Sequence, residues 1–172
     1  FVPEKGIETL VRAVARLGPG IRLVLAGSGP MEGELRNLAE KLLPGRAIFQ
    51  RPLPRARMPA LMGALDVLVL PSRTTPEWKE QFGRVLAEAM ACGRPALGSD
   101  SGEIPAVLGD SRLVFHEGDV AGLARRLATL VTGGGGRALG MRLRTRALAR
   151  FSEESISLRN HLFLKEVIDS TR

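Results

Sequence analysis

The sequence predicts an α/β fold: a Rossmann-like, doubly wound parallel sheet with a helical C-terminal extension. Three observations predict it. Short apolar runs bounded by Gly, Pro and Ser alternate with amphipathic stretches up to Glu117, the pattern of successive βαβ units with helices on both sheet faces. Beyond Glu117 the apolar positions recur only at helical spacing. The chain's 172 residues, 44% apolar and 25% charged, suit one globular core and exclude a disordered or collagen-like chain.

The elements follow in order. Ile7, Leu10, Val11, Val14 and Leu17 form the stripe of a helix over Lys5 to Leu17, stopped by Gly18-Pro19-Gly20. Ile21 to Ala26 is a strand, Gly27-Ser28-Gly29-Pro30 its turn, and Met31 to Leu43 the next helix. The alternation continues with a strand at Ala47 to Gln50, a helix at Arg57 to Leu65 and a strand at Val67 to Leu70. A helix at Phe82 to Cys92, a strand at Pro95 to Gly98, a short helix at Glu103 to Leu108 and a strand at Arg112 to Phe115 complete the sheet. Helices at Val120 to Val131 and Arg137 to Arg150 flank the glycines 133–136, which read as a surface turn because no strand precedes them. Ser152 and Ser155 cap a last helix with Ile156, Phe163 and Val167 as its stripe. The expected division is 1–150 for the sheet domain and 151–172 for the C-terminal helix.

Charge narrows the function classes. The formal +7 is uneven: residues 1–120 hold 15 Lys/Arg against 14 Asp/Glu, and residues 121–172 hold 10 against 4. Arg outnumbers Lys 21 to 4 and Tyr is absent. A solvated basic helical face is the expectation, and no nucleic acid partner is expected, because stacking platforms for bases are missing. A basic binding module using Arg137, Arg142, Arg144, Arg146 and Arg150 stands as the non-enzymatic alternative. One cysteine, Cys92, gives no disulfide framework or Cys-based zinc site, and two histidines leave little for another metal. His116 and His161 receive no role. With no signal-like start and no membrane-spanning apolar run, the expected compartment is cytoplasmic.

In open parallel sheets, ligands bind outside the carboxyl ends of the strands. Four segments should therefore converge on one rim: Pro3-Glu4-Lys5-Gly6, Gly27-Ser28-Gly29-Pro30, Pro71-Ser72-Arg73 through Glu80, and Ser99 through Glu103. The richest is Glu80-Gln81-Phe82-Gly83-Arg84, opening a helix that carries Glu88. The N–H groups of Phe82, Gly83 and Arg84 would face a phosphate with the helix dipole behind them. Lys5 could add a point charge. Glu88, on an otherwise apolar stretch, needs a partner; ribose hydroxyls would serve, or an arginine such as Arg94 or Arg73. Glu80 could equally be an acidic residue favoured by the dipole.

Taken together, these segments resemble the C-terminal half of a family 4, GT-B fold glycosyltransferase. The resemblance runs over about residues 1–155 and is carried by PEKG, GSGP, Pro71-Ser72, Glu80-Gln81-Phe82-Gly83 through Glu88-Ala89-Met90-Ala91-Cys92-Gly93-Arg94-Pro95, and Ser101-Gly102-Glu103-Ile104-Pro105. It implies a domain that binds a nucleotide diphosphate sugar and transfers the sugar with retention, without a metal or other cofactor. By similarity Lys5 contacts the diphosphate, Glu88 the ribose, and Glu80, the catalytic candidate, the donor sugar. Phe82 and Gly83 offer backbone donors, Gly27 and Gly29 let the donor approach, and Arg51 with Leu53 meets the base. Another GT-B activity, a phosphorylase or an epimerase, is the enzymatic alternative. The chain departs from the family at Thr74-Thr75-Pro76-Glu77-Trp78-Lys79, which lengthens the approach to Glu80, and at Ser101, where the family has glycine.

The resemblance also implies a strand before Pro3 and an N-terminal acceptor-binding domain, both absent from this sequence, which starts at Phe1 without methionine. The fragment is expected to be inactive alone, and membrane association of the full-length protein would come mostly from the other half. The missing strand should lie between the strands at 21–26 and 66–70. Another segment or a neighbouring chain is expected to complete it, since direct pairing of those two strands would contradict this topology, and the last helix is expected to be partly unsupported.

Overall fold

The computed structural model describes residues 1–170; Thr171 and Arg172, the end of the expected 151–172 helix, lie outside the described residues. A 3-10 turn at Pro3–Lys5 leads to α1 (Ile7–Ala15), β1 (Leu23–Ala26), α2 (Glu32–Leu42) and β2 (Ala47–Gln50). After a second 3-10 turn, Arg55–Arg57, come α3 (Met58–Ala64), β3 (Leu68–Leu70), α4 (Arg84–Ala91), β4 (Ala96–Ser99) and α5 (Ile104–Leu108). A third turn, Ser111–Leu113, precedes β5 (Val114–Phe115), and α6 (Val120–Thr132), α7 (Gly136–Phe151) and α8 (Glu153–Ser170) close the described chain.

Each expected element is present, and the shifted boundaries have local causes. The first helix starts at Ile7 because Gly6 is left-handed at φ 58° and ends the preceding turn. Likewise the helix expected from Phe82 starts at Arg84, after Gly83 at φ 74°. Ile21 belongs to a turn, its N–H bonded to the Gly18 carbonyl, so β1 begins at Leu23. The strand expected from Arg112 is shortened because Asp110 accepts the Arg112 N–H and winds Ser111–Leu113 into a 3-10 turn.

All strand pairs are parallel. β1 pairs with β2 from Leu23 opposite Ala47 to Ala26 opposite Gln50. β3 pairs with β4 from Leu68 opposite Ala96, and β4 with β5 from Gly98 opposite Val114. The two sheets are separate, β1–β2 and β3–β4–β5. β1 and β3 do not pair with each other, and a strip lined by Leu10, Val24, Leu65, Leu68 and Val69, with Arg22 and Asp66, lies between them.

β4, buried along its whole length, is central to the core, with Leu97 fully covered. α1 buries Leu10, Val11 and Val14 and packs against α2 and α6; α4 buries Leu86 and Met90 and packs against α3 and α7. α8 lies against α7, with Ser152 Oγ accepting the Ser155 N–H at 3.2 Å. The expected stripe of α8 is not buried: Ile156, Phe163 and Val167 are all exposed, Phe163 at 63%.

Candidate functional site

The four rim segments meet. Arg73 N–H donates to the Glu4 carbonyl at 2.7 Å, joining the amino-terminal turn to the loop after β3. The Phe1 nitrogen donates to the Ser28 carbonyl, and Met31 N–H to the Phe1 carbonyl, joining it to the loop after β1. Glu103 N–H donates to the Glu80 carbonyl at 2.9 Å, which brings in the loop after β4. That approach requires Gly102: its φ is 53°, and a Cβ there would collide with the Glu80 carbonyl oxygen.

Lys5 and Glu80, 75 positions apart, form an ion pair at 2.8 Å. Glu80 Oε2 also accepts from Ser72 Oγ at 3.1 Å, and Oε1 accepts the Gly83 N–H at 3.2 Å. Glu80 therefore holds the N–H of Gly83, the residue that opens α4, as well as facing Lys5, so one expected anion donor is already engaged. Burial pushes the Glu80 carboxyl up, but the Lys5 bond and charge, with the Ser72 and Gly83 donors, outweigh it and hold the group below its ordinary range. Trp78 lies against the same ammonium, its ring centre 4.7 Å from Lys5 Nζ.

Glu88 sits on the exposed side of α4. Its partner is Arg84, one turn back at 3.4 Å, rather than Arg94 or Arg73, and its side chain is 39% exposed. Glu80 and Glu88 nevertheless line the same cavity of about 740 Å³, together with Lys5, Gly27, Phe82 and Gly83. The cavity's apolar wall, including Val24, Leu25, Met62 and Val69, runs on toward the strip between the sheets. Gly29 is not in the lining; its missing side chain makes room for the Phe1 main chain. Arg51 and Leu53 follow β2 outside the lining. Phe82 reaches the end of α7, where its ring meets Phe151 edge to face at 5.3 Å.

Several residues of the rim segments were given no role of their own from sequence. Ser72, Ser99 and Ser101 are fully buried, with Ser99 Oγ donating to the Ser72 carbonyl at 2.6 Å. His116, given no role from sequence, lies with Nδ1 2.7 Å from Asp100 Oδ2. That bond raises its pKa above the ordinary imidazole value. Asp100 came closest to being legible, since it stands just after a strand; His116 gave no spacing signal because its partner is 16 positions away.

Much of the C-terminal basic charge is engaged within the fold. Arg144 donates to the Ala91 carbonyl at 3.0 Å and Arg146 to the Val107 carbonyl at 3.0 Å, so both serve helix C-termini. Arg142 pairs with Asp110 at 2.8 Å. Among the described residues, no helix is long and apolar enough to cross a membrane.

The mixed α/β fold with parallel strands is that of one half of a GT-B architecture, as comparison with known proteins shows. The model of the family "Glycosyl transferases group 1" matches residues 1–149, and the chain belongs to that family. It is 36% identical over 137 residues to 2-deoxystreptamine N-acetyl-D-glucosaminyltransferase of Streptomyces fradiae, covering 75% of this chain and 31% of that protein. It is 32% identical over 165 residues to D-inositol 3-phosphate glycosyltransferase of Mycobacterium tuberculosis, covering 89% and 33%. The chain thus spans about a third of the length of these relatives. Among solved structures, sucrose-phosphate synthase of Thermosynechococcus elongatus superimposes with a TM-score of 0.82 at 29% identity, over 98% of this chain and 44% of that one. Anabaena HepE in complex with UDP-glucose does so with a TM-score of 0.83 at 26% identity, over 96% and 46%.

Proposed function

We propose that this chain is the donor-binding half of a retaining glycosyltransferase, which moves a sugar from a nucleotide diphosphate sugar to an acceptor held by a separate N-terminal domain. The observation that carries this is the single cavity in which Lys5, Glu80 and Glu88 meet at the carboxyl ends of the strands. Lys5 takes the diphosphate. As the glycosidic bond breaks, charge grows on that leaving group, and a fixed ammonium with the neighbouring backbone N–H of Phe82, and that of Gly83 once Glu80 releases it, stabilises it. Glu88, accessible on α4, holds the ribose hydroxyls, and Glu80 stands beside the sugar as the catalytic carboxylate. Gly27 and Gly29 shape the loop the donor passes, and Arg51 and Leu53 meet the base.

In this reading the Lys5–Glu80 pair is the resting arrangement, and the incoming diphosphate competes with Glu80 for the ammonium. A further parallel strand, from additional chain on the N-terminal side or from a neighbouring molecule, occupies the strip between β1 and β3. That strip is mostly apolar, with Arg22 and Asp66 in its lining, and is flanked on both sides by strands of parallel sheets, which suits such an occupant. Without the acceptor domain the fragment does not turn over.

Isothermal titration of this chain with UDP, GDP and ADP tests the proposal. One of them should bind, and Glu88→Ala should weaken it about tenfold, the loss of a charge-assisted hydrogen bond worth about 1.5 kcal/mol. Failure of all three to bind, with Glu88→Ala indistinguishable from the parent, would refute it.

A further inference from the structure

The segment that carries Glu80 is held from outside by a residue with no place in the reaction as described. Thr75 and Trp78 close a tight turn within it, Thr75 N–H donating to the Trp78 carbonyl at 2.7 Å and Trp78 N–H to Thr75 Oγ1 at 3.1 Å. Just before that turn, Thr74 gives both its donors to one carboxylate. Its N–H reaches Glu117 Oε2 at 2.7 Å and its hydroxyl Glu117 Oε1 at 2.6 Å. Thr74 Oγ1 also lies 3.0 Å from the buried Ser101 Oγ. Glu117 is itself anchored, its N–H donating to Asp100 Oδ1 at 2.9 Å. Three loops, following β3, β4 and β5, are thus joined at Thr74. On the other side of the turn, Trp78 meets Lys5, which pairs with Glu80.

We propose that Glu117 is a positioning residue for the donor site: its carboxylate straps the 74–79 loop so that Trp78 stays against Lys5 and the ammonium stays where a diphosphate would meet it. The inference rests on the donor-site reading for its ligand, and on the hydrogen bonds alone for the strap. Two short bonds to an ionised acceptor are the strong kind. They hold Trp78 four residues on, across a turn that is closed by its own bonds and transmits the constraint. Lys5 needs such help, because an ammonium on a flexible stem otherwise samples many rotamers, and a cation over an aromatic face is one way to restrict them.

The test compares whichever of UDP, GDP and ADP binds best with its monophosphate, in the parent chain, Glu117→Ala and Glu117→Gln. The strap predicts that Glu117→Ala weakens the diphosphate about tenfold, the scale of losing charge-assisted hydrogen bonds. The monophosphate, lacking the group Lys5 serves, should bind unchanged. Glu117→Gln, which keeps an acceptor for the Thr74 N–H, should bind more nearly like the parent. Unchanged diphosphate affinity in Glu117→Ala, or an equal loss for both nucleotides, overturns the proposal. Should Glu117→Ala fail to fold, Thr74→Val takes its place: it keeps the N–H bond, removes the hydroxyl, and must show a smaller loss confined to the diphosphate. If the parent binds none of the three, the donor reading fails and the strap is judged by acrylamide quenching of Trp78, the only tryptophan. Faster quenching in the folded variant then supports the strap, and unchanged quenching overturns it.

Discussion

Replacing Gly102 with alanine should destabilise the protein far more than the same replacement at Gly45, although both glycines have similar backbones. Gly45 has φ 68° and nothing within 4 Å of a would-be Cβ. Alanine there meets only the left-handed strain, about 1 kcal/mol. Gly102, at φ 53°, carries the same strain and adds a collision, because the new methyl would run into the Glu80 carbonyl oxygen and come within 3.2 Å of the Glu80 nitrogen. Neither is the yielding end of a side chain, so the main chain at Glu80 must retreat. In doing so it lengthens the 2.9 Å bond from Glu103 N–H, which costs about 1–2 kcal/mol when the groups are left poorly paired. The total is about 3 kcal/mol, a large share of the roughly 5–15 kcal/mol that holds a domain together. Urea unfolding followed by circular dichroism reads the difference. With a slope of about 2 kcal/mol per molar, Gly102→Ala should unfold about 1 M earlier than Gly45→Ala. Midpoints that coincide would refute the claim that Glu80 is placed by this close approach.

Three further outcomes follow from individual contacts. A double-mutant cycle on Lys5→Met and Glu80→Gln should give a coupling of about 1 kcal/mol, since Lys5 keeps 39% of its surface in water; additivity would show that the pair is not formed. Asp100 raises the His116 pKa above the ordinary imidazole value of about 6.5, so its stabilisation is complete below about pH 6.5 and is lost as pH rises through the folded-state value. Asp100→Asn should bring its NMR titration midpoint down, and an unmoved midpoint would count against the contact. Arg146→Met removes the donors to the last carbonyls of α5 and should lower the melting temperature by about 3–5 °C, for a loss of about 1–1.5 kcal/mol. Arg137→Met, on an exposed residue, should leave it almost unchanged; equal effects would make the basic face of α7 purely solvated.

The strands were legible because they read as short apolar runs bounded by Gly, Pro and Ser, most clearly in β4, which is buried along its whole length. Boundaries slipped where a single backbone or side-chain choice decides, as at Gly83 and Asp110. Glu80 and Glu88 were found because they lie on one chain segment, eight residues apart. The polar network around them was not, because its members are remote in sequence: Thr74 and Glu117 are 43 positions apart. Serine and threonine in loops are common, and only their burial distinguishes Ser72, Ser99 and Ser101 from ordinary turn residues. Ser101 and the 74–79 insertion, the two places where the chain departs from the family it resembles, touch each other through Thr74.

The rim and the open strip between the sheets are mechanically linked. Residues 1–6 cross from the loop after β1, where Phe1 bonds Ser28 and Met31, to the loop after β3, where Glu4 accepts from Arg73. This brace connects two sheets that share no strand pairing, and Lys5 sits within it. The spacing of β1 and β3 therefore sets how far Gly27 on one wall stands from Glu80 on the other. A parallel strand in the strip, as proposed above, would fix that spacing by backbone hydrogen bonds on both edges and bury the apolar wall formed by Val24, Leu25 and Val69. Strand occupancy and nucleotide affinity should then reinforce each other by the same free energy in both directions, because a ligand that binds one spacing better must stabilise whatever else prefers that spacing.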